Sequence, residues 1–220
     1  EDRLRVPYKI TEWRSPAHIM DAVVASYKLP RWDNQAYHVE LWCEKDALAG
    51  VLRPLADQYH VTMMVNRGYS STSAMKEAAD RMVVAGRTGK NRVILYIGDL
   101  DPSGEDMVRD IGDRLHRMSD MYGPEVIKLA ITEAQVAQYN PPPNPAKMSD
   151  SRAAGFVSRF GYSSYEADAL PPNVLAQVVQ DSLDEYVDET AWDEVTEQET
   201  RDKELLREAR DQVMEQRDGS

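Results

Sequence analysis

The stretch Val93-Ile94-Leu95-Tyr96-Ile97-Gly98-Asp99-Leu100-Asp101-Pro102-Ser103-Gly104 runs an apolar segment into a tight turn that carries two carboxylates two residues apart. A second segment, Val39-Glu40-Leu41-Trp42-Cys43, ends in the same way on Glu44. In an open parallel sheet such runs are strands whose C-terminal ends share one edge, where ligands collect. Glu44, Asp99 and Asp101 are therefore expected to converge. Three anions within a few ångströms repel unless a cation or protons compensate them. The hard ion Mg²⁺ suits such oxygens, with Mn²⁺ as a substitute. The plainer alternative is that each acid opens the following helix, where the macrodipole favours negative charge.

Around these runs the pattern alternates: strand 36–43, helix 45–59, strand 60–65, helix 72–85, strand 92–98, helix 103–118 and strand 125–131. That series predicts an α/β fold with a parallel, Rossmann-like core. Leu48, Val51, Leu52 and Leu55 fall at helical spacing as core positions, and Pro54 should kink or shorten that helix. Upstream, Ser15-Pro16 caps an amphipathic helix that ends before Pro30. Thr132-Glu133-Ala134-Gln135 is a capping-box pattern for a short helix, and Asn140-Pro141-Pro142-Pro143-Asn144-Pro145 ends it. C-terminal helices are expected at 149–160, 172–189 and 191–216. The implied division is a helical segment 1–35, a core 36–170 and an acidic helical extension 171–220.

Charge is unevenly placed. The chain has 38 acidic and 26 basic residues, of which 15 and 5 fall in 181–220, leaving 23 and 21 in the body. A near-neutral body accommodates a local basic groove, so the net charge of -12 lowers the expectation of DNA binding without removing it. No apolar run reaches the ~18 residues of a membrane span, and no signal-peptide pattern opens the chain. Cys43 is the one cysteine and reads as a small buried hydrophobe, which suits a cytoplasmic location. His18, His38, His60 and His116 lack zinc-ligand spacing. The chain begins at Glu1 without a methionine, which implies further sequence upstream.

Between the acidic runs lies Asn66-Arg67-Gly68-Tyr69-Ser70-Ser71-Thr72, on the same expected sheet edge. Arg67 is placed to meet a phosphate, and Gly68 allows close backbone approach. Ser70, Ser71 and Thr72 offer hydroxyls and helix-terminal amides. An ordinary turn with a serine cap is the alternative. Lys45 either faces substrate or is a solvated side chain in a first helical turn. Gly86-Arg87-Thr88-Gly89-Lys90 has the wrong spacing and context for a phosphate loop and reads as a basic surface loop. No Gly-x-Ser-x-Gly elbow is present, and none of the eleven tyrosines stands in an arrangement that marks a nucleophile.

In order, Val39-Glu40-Leu41-Trp42-Cys43-Glu44-Lys45-Asp46-Ala47-Leu48, Asn66-Arg67-Gly68-Tyr69 and Gly98-Asp99-Leu100-Asp101-Pro102-Ser103-Gly104 resemble a Toprim domain. The likeness is to the form in the A subunit of topoisomerase VI, its meiotic double-strand-break relatives and smaller phage and bacterial relatives. It covers residues 36–131, and Glu166-Ala167-Asp168-Ala169-Leu170 extends it. The resemblance implies Glu44, Asp99 and Asp101 as metal ligands, with Lys45 among the catalytic set. It places Arg67 near the DNA backbone, and Gly68, Tyr69, Ser70 and Gly104 join it as the expected DNA or phosphate side.

In that family the nucleophilic tyrosine lies in a winged-helix domain ahead of the Toprim domain, and about 35 residues precede the first strand here. The covalent step would need residues or a polypeptide beyond this chain. Three functions remain open: a Mg²⁺-binding core of a topoisomerase-like DNA-cleaving protein, a Toprim nuclease using metal-activated water, and a non-catalytic DNA-binding or dimerisation module. A homodimer or a second subunit is the expected assembly. The acidic C-terminal helices would supply a partner interface or shield a basic groove. Receiver and haloacid-dehalogenase phosphotransfer domains also place aspartates at strand ends, but their acidic residues follow the first strand.

Overall fold

The computed structural model describes residues 9–66, 71–119 and 122–218. Strands β1 (Tyr37–Cys43) and β3 (Asn91–Ile97) pair in parallel along their whole length. With β2 (Thr62–Val65) and β4 (Glu125–Ala130) they form a four-stranded parallel sheet in the order β2-β1-β3-β4. The chain is thus α/β, with helices on both faces of a parallel sheet.

The alternation of side chains along β1 and β3 explains why both runs are so apolar. Val39, Leu41 and Cys43, with Val93, Leu95 and Ile97, face α2 (Ala49–Gln58) and α7 (Pro172–Asp184), whose Leu52, Ala56, Leu175, Val179 and Leu183 complete one core. Trp42, Ile94 and Tyr96 face α3 (Thr72–Arg87) and α4 (Pro102–Met118), meeting Met75, Ala78, Met82, Met107, Ile111 and Leu115. Packed on both sides, the two central strands are buried from Val39 and Val93 to their C-terminal ends. The helix after β1 covers one face and the helix after β3 the other. The chain therefore reverses its winding between β1 and β3, and a crevice opens at their C-terminal ends.

Several element ends differ from expectation. The expected helix 45–59 is a 3₁₀ turn at Asp46–Leu48 followed by α2, with Pro54 inside it. Lys45 is extended, at φ -118° and ψ 138°, so it continues the line of β1 instead of entering a helical turn. Helix α5 (Glu133–Tyr139) carries the expected capping box and ends at left-handed Asn140. Helix α6 (Ala153–Phe160) starts later than expected, because Arg152 bonds Asp150 and, at 3.0 Å, Asp106. Ser71 caps α3 by accepting the Ala74 N–H at 3.2 Å, as the ordinary-turn alternative requires.

By internal packing the chain forms two compact units. One unit is Arg31–Trp192 and the other joins Glu1–Pro30 to Asp193–Ser220. Helix α7 thus belongs to the core, because its apolar stripe joins the same hydrophobic cluster and packs against α2 and β4. In the smaller unit, Glu199, 4% exposed, accepts the Leu29 N–H at 3.0 Å and pairs with Lys203. Tyr27 donates to Asp202 at 2.7 Å, so α1 (Pro16–Ser26) and its C-terminal residues are tied to α8 (Glu189–Asp218) by polar contacts. Among the described residues no helix is long and apolar enough to cross a membrane.

Candidate functional site

Glu44 continues the β1–β3 ladder: its N–H donates to Ile97 O at 2.9 Å. Its carboxylate then accepts the Asp99 N–H at 3.2 Å, which holds the two strand ends together. Burial, with the nearby charges of Asp99 and Asp101, pushes the Glu44 carboxyl above the usual range despite that hydrogen bond and Lys45. Negative charge on Glu44 is therefore poorly compensated. Such a group attracts a cation or retains a proton.

The Asp99–Gly104 turn is set by two close approaches. Asp101 Oδ1 caps α4, accepting the Gly104 N–H at 2.6 Å and the Ser103 hydroxyl at 2.9 Å. A Cβ on Gly104 would stand 2.2 Å from Asp99 O, so glycine lets α4 press against the end of β3. A Cβ on Gly98 would meet the Tyr96 ring at 2.6 Å, so the phenol can lean over the strand end. Lys128 of β4 donates to Asp99 O at 2.7 Å and pairs with Glu105 at 2.5 Å, fixing the same turn from its other side.

Lys45 occupies the middle of the acidic group. Its ammonium lies 3.0 Å from Asp99 Oδ2, 2.9 Å from Glu166 and 3.2 Å from Asp168. Although burial opposes its charge, these carboxylates hold its pKa above the usual lysine value. Glu166 and Asp168 arrive through an antiparallel bridge in which Leu100 N–H donates to Tyr165 O at 2.8 Å and Tyr165 N–H donates back at 3.0 Å. The same segment gives Asp99 Oδ1 the Ala167 N–H at 2.9 Å.

The expected acids thus lie close together at the strand ends, with Lys45 among them. Among the described residues, no three His, Cys, Asp or Glu side chains are arranged to hold a metal as they stand. Both Asp99 oxygens and Asp101 Oδ1 have partners within the protein. The donor chemistry, all carboxylate oxygen, still suits Mg²⁺.

Two further groups bear on that fit. Both side-chain polar atoms of Asn66 and the Tyr96 hydroxyl are buried with no hydrogen-bond partner among the described residues. Each unmet group costs about 1–3 kcal/mol, so such atoms call for a water, an ion or a ligand. Of the phosphate-side set, Arg67, Gly68, Tyr69 and Ser70 lie outside the described residues, and Gly104 acts in the turn. Sequence reasoning gave no role to Tyr96, Asn66 or Lys128, although Asn66 opens a quoted motif and directly follows β2.

Compared with known protein families and with curated proteins, this sequence finds no match.

Proposed function

We propose that this chain is the Mg²⁺-binding core of a Toprim-type DNA strand-cleaving protein. The observation that carries the reading is the gathering of Glu44, Asp99 and Asp101 at the winding reversal of a parallel sheet, with Glu44 under-compensated. Glu44, Asp99 and Asp101 would hold the ion, after Lys45 leaves Asp99. Bound there, Mg²⁺ would neutralise charge on a phosphodiester and orient it. Lys45, released from the carboxylates, would turn its ammonium toward the phosphate, and Gly104 would keep Asp99 in place.

A second reading is a nuclease that uses water as the nucleophile, and it needs no tyrosine in the site. The Tyr96 hydroxyl feels the Glu44 and Asp99 charges yet is fully buried, and burial raises its pKa. Such a phenol is a poor nucleophile, so the attacking group would be water or a different tyrosine. The non-catalytic module is favoured by Lys45, whose ammonium already compensates part of the acidic group.

Supercoiled-plasmid cleavage with Mg²⁺ or Mn²⁺ separates these readings. Metal-dependent nicking that Glu44→Ala abolishes, leaving free ends, supports the nuclease. Protein attached to the ends supports the topoisomerase-like reading. Divalent binding without cleavage, even with a tyrosine-bearing partner supplied, leaves the module.

A further inference from the structure

The sheet edge carries a polar niche beside the carboxylates that the reading above leaves unexplained. Asn66 is 1% exposed and Tyr96 is 0% exposed. Neither the amide of Asn66 nor the hydroxyl of Tyr96 has a partner among the described residues. A folded protein does not ordinarily retain three such atoms in one place without something to satisfy them.

Strand register places them together. Met64 pairs with Trp42, and Trp42 with Tyr96, across one row of the sheet. These side chains belong to the core under α3 and α4. Two residues further along each strand come Asn66, Glu44 and Gly98, which fall on that same face by the alternation of strand side chains. Backbone bonds hold the row: Asn66 N–H donates to Cys43 O at 2.6 Å, and Glu44 N–H to Ile97 O at 2.9 Å. Across Gly98, which has no side chain, the Tyr96 ring leans so far that a Cβ would stand 2.8 Å from its hydroxyl oxygen. The phenol tip and the Asn66 amide thus flank Glu44 on one face. Lys45, by contrast, is bound among Asp99, Glu166 and Asp168.

Mg²⁺ loses its water reluctantly and is usually held by one or two carboxylates plus several retained waters. Those waters need acceptors and donors around them. We propose that Asn66 and Tyr96 are outer-sphere residues that hold the water ligands of a divalent cation seated at Glu44. This rests on the cation-binding reading of the site. Asn66 Oδ1 accepts from a metal-bound water, while its amide and the phenol oxygen hold adjacent waters. The niche thereby selects a small, strongly hydrated ion over a larger one that takes its ligands directly.

Calorimetry of the full chain with Mg²⁺ and with Ca²⁺ tests this in wild type, Tyr96→Phe, Asn66→Leu and Glu44→Gln. Tyr96→Phe keeps the ring over Gly98, so it should fold even where Asn66→Leu fails, as far-UV circular dichroism would show. Outer-sphere partners typically change metal affinity by about 10- to 100-fold, so Tyr96→Phe and Asn66→Leu should weaken Mg²⁺ by about tenfold or more. Ca²⁺, which accepts direct oxygen ligands, should change by less than about threefold, while Glu44→Gln should weaken both ions. Unchanged Mg²⁺ affinity in the two niche variants, or an equal loss of both ions, overturns the outer-sphere role and leaves the carboxylate site standing. A wild-type chain that binds neither ion overturns both.

Discussion

Glu40 and Glu44 lie four residues apart on one strand and one face, and the protein treats them in opposite ways. Glu40 is 0% exposed, yet Arg81 reaches it with two bonds of 2.7 and 2.8 Å, His38 at 3.0 Å and Trp42 Nε1 at 2.9 Å. Burial alone would raise its pKa; these partners outweigh burial and hold it below the usual value. Glu44 takes one backbone N–H and sits near two further carboxylates, so its pKa is raised. A charge that serves the fold is compensated from within, whereas a charge available to a ligand is left short of partners.

The comparison breaks most sharply at Arg81. Arg81→Leu leaves Glu40 buried without its cation, and breaking such a pair costs about 3–5 kcal/mol. Urea unfolding should show that loss, while Glu44→Gln should stay within about 0.5 kcal/mol of wild type or gain stability. A Glu44→Gln loss as large as that of Arg81→Leu would make Glu44 a structural residue.

The turn next to Glu44 gives the next largest effect. Gly104→Ala drives a methyl to 2.2 Å from Asp99 O, and the displaced α4 should cost about 1–3 kcal/mol by the same measurement. Gly50→Ala is the control: it lies in α2 with nothing within 4 Å, so alanine should gain about 0.5–1 kcal/mol of helix propensity. Equal effects at both positions would remove the close approach as the reason for glycine at 104.

Acid should separate the Glu40 cluster from the remainder of the sheet. The folded-state pKa of Glu40 lies below its ordinary 4.5, so the unfolded chain takes up the proton first. The stability contributed by Glu40 is therefore present above that value and lost as pH falls below it. Urea midpoints measured on acidification should fall more steeply in wild type than in Glu40→Gln. Parallel slopes would mean that Arg81 and His38 do not hold the charge.

The parts of this molecule legible in sequence are those written by local pattern. The runs at 39–43 and 93–97 are apolar enough to announce central strands, and the turn 99–104 carries its own cap and glycine. What stayed hidden depends on long separations. Arg81 is 41 residues from Glu40, and Glu166 and Asp168 reach Lys45 through a bridge at Tyr165. The pairing of α1 and its C-terminal residues with α8 spans most of the chain. The atoms of Asn66 and Tyr96 that lack partners among the described residues were invisible for another reason: an unmet hydrogen bond leaves no mark in a sequence.

Lys45 sharpens the comparison with the smallest effect on stability. Its ammonium does for Asp99, Glu166 and Asp168 what Arg81 does for Glu40, but in a more open setting. The side chains of Glu166 and Asp168 are 50% and 37% exposed, against 0% for Glu40. Solvent screens such pairs, so Lys45→Gln should cost less than about 1 kcal/mol in urea. Its effect on ligands should be larger and opposite in sign. Removing the internal cation uncovers Asp99, so Mg²⁺ affinity in calorimetry should rise in Lys45→Gln, while affinity for a DNA oligonucleotide falls. A loss of Mg²⁺ affinity would mean that Lys45 holds the carboxylates in binding geometry instead of competing for them, and the contrast with Arg81 would then be one of exposure alone.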